Sequence, residues 1–254
     1  MTAKPLSAEY FDQWYANQVA TTTVAEITNR HMGLPGDLRA GVVPATAIGD
    51  FVAALRLAPG AVLLDLACGR GGYGLLVARE TGATLRGVDF SAQALAEARE
   101  QAAALGVAGG EFTVGTLEAT GLPDGLADAV LCTDAIQFPD DPAAAYREIR
   151  RVLRPGGRVA LTCWEVTDRA DEDLSPRLRA VDLQAGLAGA GFTDIEVTER
   201  PDWRARERSM WEEAVALDPG DDPALRSLHD EGLRSLQRFA LLRRMFATAT
   251  APGN

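Results

Sequence analysis

An α/β domain on a mostly parallel sheet is predicted for this chain, on two observations. From residue 60 onward short apolar runs alternate with helical patterns, and the first of these runs ends in a glycine-dense turn. Strands separated by helices pair in parallel, because the crossover returns the chain to the same end of the sheet, and the right-handed crossover is the one that packs. The chain has 254 residues, 47% of them hydrophobic, which suffices for one sizeable core.

The N-terminal residues 7–20 read as a helix capped by Ser7, with Tyr10, Phe11, Trp14 and Tyr15 on one aromatic face. A second helical pattern carries Val24, Ile27 and His31 and is broken by Gly33, Pro35 and Gly36. Pro44 opens a third, with the stripe Ile48, Phe51, Val52 and Leu55. The apolar runs Ala61–Leu66, Thr84–Asp89, Glu111–Gly115, Ala127–Thr133 and Arg158–Trp164 are the expected strands. Helices are expected between them at 72–81, at 91–106 with Ser91 as cap, and at 141–153 with Asp141 as cap and Pro142 in the first turn. The last stops at Pro155-Gly156-Gly157. Beyond 165 come a helix at 176–190, a strand at Thr193–Thr198, helices at 205–217 and 222–243, and a short strand at Phe246–Ala251. The expected organisation is a single domain over 1–254: a helical cap at 1–43, a core at 44–200, and a helical insertion with a final strand at 201–254.

Composition narrows the function. The net charge of −11 opposes a nucleic-acid surface. The arginines at 200, 204, 206 and 208 are interleaved with acids and read as a solvated face. Cys68, Cys132 and Cys163 include no C-x-x-C pair, so neither a disulfide framework nor a metal knuckle is suggested, and buried reduced thiols are expected. No basic-then-apolar leader opens the chain, and no apolar run approaches the ~20 residues that span a bilayer. The expected compartment is the cytoplasm, the expected partner a small molecule; the oligomeric state stays open.

The run Leu63-Leu64-Asp65-Leu66-Ala67-Cys68-Gly69-Arg70-Gly71-Gly72-Tyr73-Gly74 takes a buried strand through a glycine turn into a helix. Without side chains the backbone can lie close to a ligand, and the helix start offers unpaired N–H groups. Asp89 ends the next strand twenty residues after Gly69, where a carboxylate can accept both hydroxyls of a ribose. The plain alternative is an ordinary turn beside a solvated acid. Gly69, Gly71 and Gly74 also satisfy G-x-G-x-x-G, which equally fits a nicotinamide or flavin dinucleotide. Asp65 discriminates. A carboxylate beside the turn repels a pyrophosphate but suits a cationic amino-acid group and a sulfonium.

With these residues in view, D-L-A-C-G-R-G-G-Y-G resembles motif I of the class I S-adenosylmethionine-dependent methyltransferases. Val88–Ser91 is similar to their acidic ribose loop. Gly121–Val130 is similar to the approach to their fourth strand, and Tyr146–Val159 to the helix and turn before their fifth. The resemblance covers residues 44–200. It implies a Rossmann-like, doubly wound, seven-stranded sheet with six parallel strands and one antiparallel. The implied cofactor is S-adenosylmethionine, leaving as S-adenosylhomocysteine. Gly69 and Gly71 would approach it, Asp65 would lie near its amino-acid end, Asp89 would bind the ribose and Phe90 would flank the adenine. Ala67, Cys68, Glu118 and Thr133 complete the implied cofactor positions. The chain departs from the pattern at the acid that follows the third strand. Thr116 stands there, so its hydroxyl or the Leu117 backbone would take over the adenine contact.

Methyl transfer from a sulfonium needs alignment and a dry pocket more than a metal. Candidate bases are His31, His229 and Asp134. A lone histidine on a helix is more often packed or partly solvated than catalytic. Candidate acceptor-pocket residues are Tyr10, Trp14 and Tyr15 on the first helix, Gln137 after the fourth strand, and Trp164 at the end of the fifth; the helix face and Trp164 read either as plain core or as a lid over an apolar or aromatic substrate. The expected function is methyl transfer to oxygen, carbon or nitrogen of a small secondary metabolite. The alternatives are a methyltransferase-like protein catalysing a non-methylating reaction such as cyclisation, and an NAD-dependent oxidoreductase.

Overall fold

The computed structural model describes residues 12, 22–35, 38–107 and 109–253. The expected first helix, with Tyr10, Trp14 and Tyr15, lies outside these except for Asp12, which is helical. In chain order the elements are α1 (Thr22–Met32), α2 (Thr46–Leu55), β1 (Val62–Leu66), α3 (Gly72–Thr81), β2 (Thr84–Asp89), α4 (Ala92–Ala104), β3 (Glu111–Val114) and β4 (Ala127–Thr133). There follow α5 (Pro142–Val152), β5 (Leu153–Val166), α6 (Pro176–Arg179), α7 (Leu183–Gly189), β6 (Thr193–Glu199), α8 (Pro201–Ala216), α9 (Pro223–Arg238), a 3₁₀ turn (Phe239–Leu241) and β7 (Leu242–Thr250).

The seven strands form one sheet in the order β3-β2-β1-β4-β5-β7-β6. β1, the first strand laid down, is central, and β2, β3, β4 and β5 extend from it in parallel. β7 is antiparallel to both β5 and β6. The sheet is the class I methyltransferase arrangement that the resemblance implied. Asp65, Asp89 and Asp134 therefore all stand at the carboxyl ends of parallel strands, where α/β sheets bind ligands.

Local chemistry sets the helix starts. Ser91 accepts from the Ala94 N–H (3.1 Å) and Asp141 from the Ala144 N–H (3.1 Å). Both were legible as caps. Two apolar layers sandwich the sheet. One gathers Phe51, Tyr73, Leu75, Leu95, Trp203 and Trp211 under α2, α3, α4 and α8; the other gathers Leu64, Tyr146, Ile149, Leu161 and Leu187 under α5 and α7. α1, α8 and α9 pack on one another over the first face.

Four boundaries differ from expectation, the first at β5, which begins at Leu153 and not at Arg158 because Leu153 already pairs with Ala127 ahead of a bulge. The helix expected at 176–190 is split into α6 and α7, because Asp182 turns out of the helix and caps Ala185 (2.8 Å). The helix expected at 205–217 begins earlier, with Pro201 in its first turn. The helix expected to run to 243 ends at Arg238, and β7 begins at Leu242, four residues before the expected strand. Pairing decides this last point, since β7 follows β5 as far as Val166↔Leu242. The two arginines in that stretch, which look unlike strand residues, find carboxylates: Arg243 lies 3.6 Å from Glu165 and Arg244 2.5 Å from Asp134.

A buried acid steadies the segment before β4. Glu148 Oε1 accepts from the Thr120 N–H (2.8 Å) and hydroxyl (2.6 Å) and from Arg151 (2.6 Å). Burial alone would raise the Glu148 pKa, but the hydrogen bonds from Arg151 and Thr120 outweigh it and hold it at about 2. A carboxylate whose folded pKa is depressed stabilises above its unfolded pKa and loses that contribution as pH falls. The stability advantage of the native chain over Glu148→Gln is therefore expected to be about 1–2 kcal/mol at neutral pH, once solvent screening of the half-exposed Arg151 is allowed for. It should shrink as pH falls from about 4.5 toward 2. Urea unfolding across that range checks it.

Candidate active site

The turn after β1 is built from left-handed backbone. Ala67 (φ 54°), Gly69 (φ 52°) and Gly71 (φ 77°) are all positive, and Ala67 is a non-glycine residue held in that strained region. A Cβ on Gly71 would come within 3.3–3.4 Å of Ala98, Leu75 and Phe112, so this glycine serves core packing as well as the turn. A Cβ on Gly74 would come 2.8 Å from the Asp65 Cβ. The helix can close over Asp65 only because Gly74 has no side chain.

Asp65 is buried beneath this turn. Its Oδ2 accepts from the Gly74 N–H (3.2 Å), while Oδ1 is buried with no hydrogen-bond partner among the described residues. Burial pushes the Asp65 pKa up to about 7, the Gly74 N–H pulls it down, and nearby Asp89 raises it further. An unpaired buried carboxylate oxygen is costly, and in a native protein it marks a place where something else binds.

Asp89 is also buried. Its Oδ2 accepts from the Gly69 N–H (2.8 Å) and its Oδ1 from the Ser91 N–H (2.9 Å). The carboxylate thus ties the glycine turn to the start of α4. Burial raises its pKa, against the N–H groups of Ser91, Gly69 and Phe90. Asp12 approaches the same spot: its carboxylate accepts from the Ser91 hydroxyl and from the Gln93 N–H (3.4 Å).

The remaining cofactor candidates lie around this centre. Ala67, Cys68 and Phe90 are half-buried at the ends of β1 and β2, and Thr133 is half-buried at the end of β4. Thr116 is exposed, and its hydroxyl accepts from the Ala119 N–H (3.1 Å) to close a small turn. Leu117 is buried, and Glu118 accepts from the Asp140 N–H (3.1 Å).

Asp134 follows β4 in left-handed backbone (φ 55°). Its Oδ1 accepts from the Thr162 hydroxyl (2.7 Å) and its Oδ2 from Arg244 (2.5 Å). Gln137 braces the same corner, donating to the Asp134 carbonyl (2.7 Å) and accepting from the Cys163 thiol (3.0 Å). Trp164 is half-buried and meets Phe239 edge-on with centroids 5.3 Å apart.

The histidines are placed differently. His31 Nε2 lies 2.6 Å from Glu213 Oε2, tying α1 to α8 together with an Arg30–Glu213 pair. His229 sits beside Asp230 (3.4 Å) on α9. Among the described residues, no hydrogen bond or ion pair joins either histidine to Asp134.

The sequence reading missed three groups. Arg244 is fully buried, against Asp134 and 3.8 Å from Glu207, and its guanidinium lies 5.2 Å from the Trp164 ring. Glu207, on α8, is buried, and burial pushes its pKa up to about 7 although Arg244 pulls the other way. Tyr73 is buried, donating to the Val43 carbonyl (3.0 Å) and accepting from the Val43 N–H (2.7 Å). The solvated-face reading of the arginine cluster also needs correction. Arg200 lies 4.0 Å over Trp203 and pairs with Asp50 (2.7 Å), and Arg204 donates to the Leu242 carbonyl (3.1 Å). These two fasten α8 to its surroundings, while Arg206 and Arg208 are exposed. A buried arginine on a strand leaves no mark in hydrophobic periodicity, which is why Arg244 was overlooked.

Comparison with known proteins agrees with this fold. A family model described as the methyltransferase domain matches residues 64–161, from β1 into β5. The chain is 30% identical over 162 residues to phosphoethanolamine N-methyltransferase 1 of Arabidopsis thaliana, covering 60% of this chain and 33% of that protein. It is 29% identical over 209 residues to methyltransferase phqN of Penicillium fellutanum, covering 78% and 62%. The chain thus spans about a third of the length of the phosphoethanolamine methyltransferases it matches. Among solved structures, Haemonchus contortus phosphoethanolamine N-methyltransferase 2 in complex with S-adenosyl-L-methionine superposes with a TM-score of 0.74 at 22% identity, covering 96% of this chain and 60% of that one. The [4+2]-cyclase SpnF superposes with a TM-score of 0.71 at 22% identity, covering 98% and 97%. With a glycine turn over a buried acid, a second acid on the neighbouring strand and the seven-stranded order in place, the chain has the fold of the class I S-adenosylmethionine-dependent methyltransferases, and its residues 64–161 match the methyltransferase domain.

Proposed function

We propose that this protein transfers a methyl group from S-adenosylmethionine to an oxygen, carbon or nitrogen atom of a small organic molecule of secondary metabolism, in the cytoplasm. The observation that carries the reading is the unpartnered Asp65 Oδ1 beneath the glycine turn. A cationic amino group supplies what that oxygen lacks, and a pyrophosphate would be repelled by it. Asp65 would hold the amino-acid end of the cofactor, Asp89 the ribose with the lone pairs its two N–H partners leave free, and Phe90 and Leu117 the adenine. Bound cofactor supplies an electrophilic methyl group on a sulfonium.

The protein's own residues supply position and dryness. Asp134 is fixed by Thr162 and Arg244 at the strand end next to β1, where it would orient the acceptor. Trp164 and Gln137 would wall the same space. The engagement of His31 with Glu213 and of His229 with Asp230 favours Asp134 over both as the polar group nearest the reaction.

Saturating S-adenosylhomocysteine, at ~100 times its dissociation constant, should stabilise the fold by about 2.7 kcal/mol, with no shift from NAD. A thermal-shift measurement reads both, and a shift with NAD alone would overturn the reading. A second reading is a non-methylating reaction such as cyclisation on the same fold, favoured by a likeness that runs the length of the cyclase SpnF. Labelled methyl appearing in product separates the two.

A further inference from the structure

Arg244 and Glu207 bury more polar capacity than they use. Arg244 is fully buried, yet its Nε and Nη1 have no hydrogen-bond partner among the described residues. Glu207 accepts from the Trp211 indole through Oε1 (3.2 Å), while its Oε2 is equally unpartnered. Arg244 Nη1 and a Glu207 carboxylate oxygen face each other across 3.8 Å, too far for a direct hydrogen bond. An oxygen atom ~2.8 Å from each would span that gap, with ordinary geometry on both sides.

The surroundings specify the charge and shape of that occupant. Asp134 already neutralises Arg244 at 2.5 Å. A carboxylate would add a third acid around one guanidinium, and an ammonium has no lone pair with which to accept from Arg244. A hydroxyl satisfies both partners, accepting from Arg244 and donating to Glu207. Trp164, half-buried, and Phe239 offer an edge-to-face aromatic wall on the Arg244 side.

We propose that Arg244 and Glu207 form the polar floor of the acceptor subsite, and that the acceptor presents to it an uncharged hydroxyl carried on an aromatic ring. The proposal rests on the methyltransferase reading above. It is tested with phenol, benzoate and benzylamine as probes, titrated by ligand-observed NMR into the full chain saturated with S-adenosylhomocysteine.

Phenol should bind more tightly than either charged probe. Glu207→Met, which keeps the length of the side chain without its oxygens, should weaken phenol at least tenfold while leaving S-adenosylhomocysteine affinity and the folded spectrum in place. Glu207→Gln should recover part of the loss. Preference for benzoate or benzylamine, phenol affinity unmoved by Glu207→Met, or no phenol binding beside normal S-adenosylhomocysteine binding would each overturn it. The last of these would mean that the gap holds only structural water. Failure of S-adenosylhomocysteine to bind while phenol still responds to Glu207→Met would instead sink the cofactor reading and leave the subsite standing.

Discussion

Asp89→Ala should abolish measurable cofactor binding and also destabilise the empty protein by about 2–4 kcal/mol, because it leaves two buried N–H groups unpaired at roughly 1–3 kcal/mol each. A carboxylate that only met the ribose would affect affinity alone. The structure shows a bracing duty, since Oδ2 holds the Gly69 N–H and Oδ1 the Ser91 N–H. Part of the loss is returned, because the carboxylate is itself desolvated and its pKa is raised by burial. Asp89→Asn keeps one acceptor oxygen and should fall between the two. Urea unfolding of the empty protein and calorimetry with S-adenosylhomocysteine separate the effects. Stability within 0.5 kcal/mol of native in Asp89→Ala, a bound set by the usual size of surface substitutions, would show that the brace carries no weight.

Arg244→Met should cost about 3–5 kcal/mol, the usual penalty for removing one partner of a buried ion pair. Asp134 and Glu207 would then lack their shared cation. The penalty should depend on pH in a stated direction. Burial holds the Glu207 pKa at about 7, above the ordinary 4.5. The folded protein therefore binds the extra proton, and the Glu207 contribution weakens as pH rises through that window. Without Arg244, whose attraction lowers the Glu207 pKa, the window extends upward, so the variant should be hurt more at pH 8 than at pH 6. Arg244→Met combined with Glu207→Met should regain much of the loss, since a buried apolar pair is often as stable as the ions it replaces. Unfolding curves of the single and double variants at both pH values check this. Equal losses at the two pH values would refute the coupling.

The legible parts of the protein were those governed by contacts close in sequence. Strand bounds at Thr84–Asp89 and Ala127–Thr133 and the helix at Gly72–Thr81 follow from periodicity and turn chemistry alone. So do the caps at Ser91 and Asp141, because a cap bonds N–H groups two or three residues away. The glycine turn and Asp89 were readable for the same reason: a strand, a turn and a helix start are one local unit.

The rest needed the chain folded. Whether Leu242 belongs to a helix or a strand depends on β5, 76 residues earlier at Val166. Arg244 meets Asp134 across 110 residues of chain, and His31 is claimed by Glu213 across 182. No local pattern records which carboxylate a buried cation will find. The amino-acid order thus settled the sheet, its turn and the two acids, Asp65 and Asp89, that stand beside that turn. Long-range packing settled which polar groups meet beneath α8, because the desolvation that gives Glu207 its near-neutral pKa exists only once α8 lies on the sheet.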